Sequence, residues 1–174
     1  MTERTTAETE RSHSSLGSEI NEGAPVVGRE EIEIAAVPGA VWDVLTAIDR
    51  WPTWNPEVKS VSFHGDIKAG SEFRWKAGPG TITSTIQNVD PPLRIAWTGK
   101  TLGIKAIHVY NLEPRNGRTL VRTAESYDGL VARLFQRPLQ RTLDAALQGG
   151  LQHLKVEVER REQGQTKAPA PEPA

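Results

Sequence analysis

The segment IKAIHVYNLEPRNGRTLVRTAES (residues 104–126) decides the fold, because it encodes two alternating strands around one tight turn. Asn116-Gly117 favours a two-residue hairpin loop, which would place Arg115 opposite Arg118. Counting back from that turn predicts three further pairs: Leu112 with Val121, Tyr110 with Thr123, and His108 with Glu125. Side chains alternate along a strand, so the six residues of these three pairs share one face. A slip by one residue would reverse the faces.

Alternation of apolar and polar residues predicts more strands before this hairpin. They cover residues 29–36, 58–63, 72–76, 81–89 and 93–97. Glycine and proline punctuate the short links from residue 58 onward. Such short links between neighbouring strands predict a consecutive antiparallel meander.

Helical spacing appears on both sides of the meander. Pro38 suits the first turn of a helix, and an apolar stripe follows it. A second short helix or tight turn is predicted over residues 51–56, where two prolines forbid a long helix. After Asp128-Gly129 a long helix is predicted to end near Glu162, and Pro138 either kinks it or marks its start. The two stripes are Val41, Val44, Leu45 and Ile48, and then Leu143, Leu147, Leu151, Leu154 and Val158.

These elements predict an α+β fold. A sheet that is apolar on one face must bury that face against another element, and the long terminal helix is the element available. We therefore expect a curved antiparallel sheet of about seven strands wrapped around a long C-terminal helix, with two short helices after the first strand.

Composition limits the function classes. The chain has 174 residues, with 21 basic and 22 acidic side chains and no cysteine. Polar residues 1–28 and the Pro/Ala-rich residues 163–174 are predicted to be disordered tails around one ligand-binding domain at 29–162. Balanced charge argues against nucleic-acid binding, and the lack of cysteine excludes thiol and cysteine–metal chemistry. We expect a cytoplasmic monomer or homodimer that does not insert stably in a membrane and has neither metal nor cofactor.

Several segments, in this order, resemble the START-like (SRPBCC) superfamily, specifically its polyketide cyclase/dehydrase and lipid-transport branch. They are PGAVW (38–42), IDRWPTWNP (48–56), PPLRIAW (91–97), IHVYNLEP (107–114) and GRTLVRTAES (117–126). The resemblance implies a helix-grip fold with a deep apolar cavity between sheet and terminal helix. It also implies that the His and Glu of the hairpin face this cavity. It selects no single activity, since the fold hosts carriers, receptors, cyclases and co-chaperones.

The pair of His108 and Glu125 has three interpretations. The carboxylate would favour the imidazolium and fix its tautomer, so the pair could act as a general acid and base. It could equally orient a bound ligand as a polar anchor. The third interpretation is a satisfied pair that ties two strands together.

Aromatic and small residues are the other candidates for the cavity wall. Phe73, Trp75 and Trp97 would shape an apolar pocket if they lie on the concave face, and would otherwise be core. Gly150, with Ala146 near the edge of the helix stripe, leaves volume for a ligand, or else permits close packing or a kink. Trp42, Trp51 and Trp54 are interpreted as structural.

The first functional hypothesis is a carrier or sensor for a small hydrophobic ligand such as a lipid, a polyketide or another polycyclic compound. His108, Glu125, Tyr110 and Thr123 would orient it. The alternative is an aromatase/cyclase that closes and dehydrates a poly-β-ketone, with His108, Glu125 or Tyr110 moving protons. A further alternative is a co-chaperone-like interaction module, which would show an exposed apolar patch.

Overall fold

Seven strands and four α-helices make up the chain in the computed structural model, which describes Gly17 and residues 19–166. The strands are β1 (Val26–Ile34), β2 (Val58–Ser62), β3 (Glu72–Ala77), β4 (Gly80–Asp90), β5 (Arg94–Thr101), β6 (Ile104–Arg115) and β7 (Arg118–Asp128). The helices are α1 (Pro38–Thr46), α2 (Trp51–Trp54), α3 (Leu130–Leu134) and α4 (Gln136–Thr166). A 3-10 turn, Ile48–Arg50, joins α1 to α2.

All seven strands form one antiparallel sheet, in the order β1-β7-β6-β5-β4-β3-β2. The predicted meander from β2 to β7 is therefore confirmed, and β1 pairs with the far edge of β7. The hairpin register is also confirmed: Arg115 pairs with Arg118 across Asn116-Gly117. Both turn residues have positive φ, of 47° and 79°, as a two-residue hairpin turn of this kind requires.

Helix α4 packs across one face of the curved sheet, which we call the concave face. Its first half covers β1, where Leu143 and Leu147 cluster with Val26. Its second half joins the main core, where Leu151, Leu154 and Val158 contact β1 and α1 residues. The α+β architecture of a sheet gripping its terminal helix is thus confirmed, with the short helices α1 and α2 after β1.

The N-terminal boundary differs from the predicted one. Strand β1 begins at Val26, so it includes three residues that were assigned to the tail. The preceding segment is fixed on the opposite, convex face: Glu19 forms an ion pair with Arg94, and the Asn21 amide donates to the Ser126 hydroxyl at 3.0 Å. Polar composition suggested a tail because these contacts are hydrogen bonds and ion pairs rather than apolar burial. Residues 1–16, 18 and 167–174 lie outside the described part of the chain.

The predicted long helix is divided into two. Helix α3 ends at Leu134, and Phe135 leaves the helical conformation with φ −120° and ψ 38°. Pro138 lies in the first turn of α4, where its missing N–H costs nothing, so it marks the start of the helix rather than a kink. The helix then continues to Thr166, four residues beyond the predicted end at Glu162. Within the described residues, no helix is both long and apolar enough to span a bilayer.

Close approach of α4 to β1 depends on one glycine. A Cβ at Gly28 would lie 2.8 Å from Leu147 Cδ1 and 2.9 Å from Leu143 Cγ. Gly149, on α4 itself, has nothing within 4 Å of the same position. The two glycines are therefore present for different reasons.

This contrast predicts that a glycine-to-alanine substitution has opposite effects on stability at the two positions. Gly28→Ala forces α4 away from the sheet, and we expect a loss of about 1–3 kcal/mol in the free energy of unfolding. Gly149→Ala removes backbone freedom without a clash, and we expect a gain of about 1 kcal/mol. Urea unfolding followed by circular dichroism measures both. Equal stabilities for Gly28→Ala and wild type would contradict the close approach.

Candidate functional site

Three neighbouring strands bring an acid, an imidazole and an indole into one row on the concave face. Glu125 of β7 lies opposite His108 of β6, and His108 lies opposite Trp97 of β5. The row is a direct result of strand register, because residues paired across antiparallel strands point to the same side.

His108 is buried and has a polar neighbour at each ring nitrogen. Its Nε2 lies 2.8 Å from Thr123 Oγ1, and its Nδ1 lies 3.4 Å from a Glu125 carboxyl oxygen. The Thr123 hydroxyl also lies 3.3 Å from the Val109 carbonyl oxygen. Which nitrogen of His108 carries the proton depends on the direction in which this one hydroxyl donates.

Burial sets the charge state of this pair. Desolvation lowers the pKa of His108 from 6.5 to about 3. Desolvation also raises the pKa of Glu125 from 4.5 to about 8. At neutral pH these shifts favour the uncharged form of both groups. Both directions run against the expectation that Glu125 would favour the imidazolium, because desolvation opposes the charged form of each group.

Tyr110 completes the polar group. Its ring stacks on His108, with centroids 4.7 Å apart, and on Trp97, with centroids 5.6 Å apart. Burial raises the pKa of Tyr110, although a hydrogen bond with Thr123 acts in the opposite direction. Burial and the neighbouring Glu125 likewise raise the pKa of Tyr127. The site is therefore a set of uncharged hydrogen-bonding groups held between aromatic rings.

A packed aromatic cluster fills the concave face beside this polar group. Its centre is Trp51 of α2, whose ring lies 5.7 Å from Phe73, 5.6 Å from Trp75 and 5.7 Å from Trp97. The Trp51 indole N–H donates to the Leu45 carbonyl at 2.8 Å. Phe73 and Trp97 are only 1% and 4% exposed. Trp75 is partly buried and donates to Ser84 at 3.0 Å.

Sequence reasoning missed the role of Trp51. The two prolines that follow it predicted a second short helix or tight turn, and a tryptophan in so short an element has no periodic signal that shows which face it covers. Only the return of α2 over the sheet brings its ring against strands β3 and β5. The structure thus places Phe73 and Trp97 in this cluster and makes Trp51 their common neighbour.

The opposite end of the concave face carries small or partly exposed residues. Ala106 pairs with Gly99 on β5 and with Tyr127 on β7. Ala106, Tyr127 and Glu125 are all partly accessible, unlike the aromatic cluster. This end of the sheet is therefore more accessible to solvent than the aromatic cluster.

Two small residues, Ala146 and Gly150, lie near the middle of helix α4. A Cβ at Gly150 would meet nothing within 4 Å, and the residue is partly buried. Ala146, one turn earlier, is exposed. The helix therefore leaves space near Gly150, while Ala146 lies farther toward solvent.

Two polar atoms near this helix have no partner among the described residues. They are Nδ1 of His153 on α4 and Nε1 of Trp54 on α2, and both are buried. The two helices contact each other. His153 lies between Leu151 and Leu154 of the apolar stripe, and this position in the sequence is the signal that could have indicated its burial. No group of three His, Asp or Glu side chains suited to a metal ion occurs in the described part of the chain.

Comparison with solved structures identifies the fold. A START superfamily protein from Mycobacterium smegmatis is 15% identical, with a TM-score of 0.68 over 77% of this chain and 97% of that one. An aromatase/cyclase from Streptomyces sp. R1128 is 17% identical, with a TM-score of 0.65 over 78% and 94%. Norcoclaurine synthase from Thalictrum flavum, in complex with dopamine and hydroxybenzaldehyde, is 16% identical, with a TM-score of 0.62 over 77% and 86%.

Sequence comparison identifies the family. No curated protein matches the chain. The family model described as polyketide cyclase / dehydrase and lipid transport matches residues 25–159, from the start of β1 almost to the end of α4. The matched range includes the whole sheet and every residue of the polar group. The chain therefore belongs to the polyketide cyclase/dehydrase and lipid-transport family.

Proposed function

We propose that the protein binds a small, largely apolar molecule between the open end of the concave face and helix α4, as a carrier or sensor. The observation that carries this proposal is a polar group beside aromatic rings, made of the buried His108, Thr123 and Tyr110 and the partly buried Glu125, in which the His108 and Glu125 pKa shifts favour the uncharged forms. Space near Gly150 lies on the helix that covers this face. A protein that needed only a core would fill such space with a larger side chain.

The charge state of the site favours an uncharged ligand group. With His108 and Glu125 both neutral, a carbonyl or hydroxyl of the ligand meets hydrogen-bonding dipoles and no fixed charge. A ligand carboxylate would lie beside a group that resists ionisation, and would raise the pKa of Glu125 further. Burial of apolar surface would supply the affinity, at about 25 cal/mol per Å². Lipids, polyketides and polycyclic compounds with few polar groups fit these requirements.

Filling the space at Gly150 should prevent binding. We expect Gly150→Leu to weaken binding of N-phenyl-1-naphthylamine, an uncharged apolar dye, by at least about tenfold, or roughly 1.4 kcal/mol. Titration of dye fluorescence measures the dissociation constant. Gly164→Leu is the matched control, because Gly164 lies on the same helix, is exposed and has no neighbour within 4 Å.

Two results would contradict the binding proposal. The first is equal dye affinity for Gly150→Leu, Gly164→Leu and wild type. The second is the absence of both dye binding and any co-purifying small molecule, the latter tested by native mass spectrometry of protein isolated from its host.

Stability should depend on the buried carboxyl in a defined pH range. Because the pKa of Glu125 rises from 4.5 to about 8 on folding, its contribution to stability is lost as the pH rises between these values. The pKa of His108 falls from 6.5 to about 3, so its contribution grows with pH up to about 6.5 and offsets that loss. The net decline is therefore expected between about pH 6.5 and 8.

Glu125→Gln should remove this decline, since an amide cannot ionise. Urea midpoints at several pH values measure the effect. Glu57→Gln, which changes an exposed carboxylate, serves as the control and should keep the wild-type decline. An unchanged pH profile in Glu125→Gln would show that the buried pair does not have the charge state described.

A second candidate function is cyclisation of a poly-β-ketone, which the similarity to an aromatase/cyclase structure supports. A carboxyl whose pKa is about 8 is protonated at neutral pH and can donate a proton to a ketone oxygen as a carbon–carbon bond forms from the enol tautomer of another ketone of the chain. The enol hydroxyl becomes the new ketone and returns its proton to the Glu125 carboxylate. His108, whose pKa is about 3, is too weak a base to lead this step. The structure thus favours Glu125 as the acid.

Turnover would separate the enzyme from the carrier. If the protein is a cyclase, Glu125→Gln should lower the rate of ring closure of a poly-β-ketone thioester by about 10²–10⁴-fold while dye affinity stays within a few-fold of wild type. Chromatography with mass detection follows the dehydrated product. No product above the uncatalysed level with wild-type protein would eliminate this alternative and leave the carrier or sensor.

A further inference from the structure

Four exposed apolar side chains lie at the end of the molecule where the concave face is open. They are Leu102, Leu130, Leu134 and Phe135, with exposed fractions of 65%, 70%, 68% and 55%. We call these four residues the apolar tip. Leu102 belongs to the turn between β5 and β6, and the other three belong to α3 or follow it directly.

Backbone packing brings the two parts of the apolar tip together. Gly129 packs directly against the Gly103 carbonyl, and both glycines have positive φ, of 114° and 79°. A Cβ at Gly103 would lie 3.1 Å from Val131 of α3, so the turn and the helix touch along this edge. Leu130 and Leu134 are four residues apart on α3 and therefore share one face.

The apolar tip is held in place rather than being part of a loose loop. Ala132 of α3 is fully buried and anchors the helix. The Phe135 amide donates to the Val131 carbonyl at 3.0 Å, and the Leu139 amide donates to the Phe135 carbonyl at 3.1 Å. The exposed side chains therefore project from an ordered backbone, whose fixed geometry lowers the entropy cost of docking.

Basic side chains surround the apolar tip. Five of them are exposed: Lys100, Lys105, Arg133, Arg137 and Arg141. Neither residues 98–105 nor residues 129–143 contain an acidic side chain. Asp128 lies 3.8 Å from Arg133, but no described residue forms an ion pair with the other four. This end of the protein is therefore apolar at its centre and positive around it.

We propose that this end of the molecule docks on an anionic lipid surface. Apolar side chains that project singly from a short helix suit insertion among lipid headgroups, and unpaired cations around them match negatively charged lipids. An apolar groove, which a peptide helix would need, is not what these residues form. The basic side chains around the apolar tip complement the negative charge of anionic lipids. A second copy of the chain would present the same positive surface and so would lack this complementarity.

The apolar tip lies close to the proposed ligand site, so docking could bring that site near the bilayer. Tyr127 and Ala106 line the open end of the concave face, and they lie a few residues from α3 and from the β5–β6 turn. A ligand leaving the bilayer would then have a short path to the proposed site. This use rests on the proposed function, whereas docking itself does not.

Vesicle flotation tests the docking. The full chain is mixed with vesicles of phosphatidylcholine alone or with about one third phosphatidylserine. We expect at least about tenfold stronger binding to the anionic vesicles, and a marked loss when salt is raised from about 0.05 M to 0.5 M. Leu134→Ser with Phe135→Ser, and separately Arg137→Gln with Arg141→Gln, should each weaken binding at least about fivefold.

A control pair distinguishes the apolar tip from general surface hydrophobicity. Val37→Ser with Val156→Ser removes two apolar side chains of similar exposure, 53% and 64%, elsewhere on the molecule. This variant should bind vesicles like wild type. Circular dichroism and dye binding confirm that every variant is folded and keeps the ligand site.

Other outcomes would overturn the proposal. Absence of wild-type binding to anionic vesicles at low salt, or equal losses in the control pair, would exclude docking by the apolar tip. A change in molecular mass with Leu134→Ser and Phe135→Ser, without vesicle binding by wild type, would show that a second copy covers it. Vesicle binding without dye binding and without a co-purifying small molecule would leave docking intact and contradict the proposed function instead.

Discussion

The pairing of β6 with β7 is the constraint on which the rest of the structure depends. Asn116-Gly117 sets its register, and the register puts His108, Glu125 and Thr123 on the face that α4 covers. A slip by one residue would turn the residues of the convex face toward the core. One of them is Arg122, whose charge is unsuited to burial there. One tight turn therefore determines both the core and the polar group.

Burial then determines which charge state of this polar group is favoured. Near water, a His beside a Glu would be an ion pair; beneath α4 and beside Trp97 both partners are held uncharged. Thr123 lies against Nε2 of the ring, and Glu125 lies 3.4 Å from Nδ1. The environment thus favours the uncharged forms of a pair that would be charged in water.

Much of the fold was predictable because it depends on local rules. Strand alternation, the Asn-Gly turn and the helical stripe predicted the meander, the register and α4. The separate helix α3, the packing of residues 19–25 and the central position of Trp51 were missed, since each depends on contacts between distant segments. The positions of His108 and Glu125 were predicted, but their charges were not, because desolvation is a property of the assembled protein.

The place of β1 in the sheet has a consequence for how the chain is made. Its first residue, Val26, pairs with Tyr127, about a hundred positions later. The ribosome releases β1 long before its partner β7 and its cover α4 exist, so this strand must wait unpaired during synthesis. Contacts of such large sequence separation slow folding and favour late completion of the sheet. A nascent chain stalled before β7 would therefore expose the Ile32 and Ile34 face of β1, a natural target for holding chaperones.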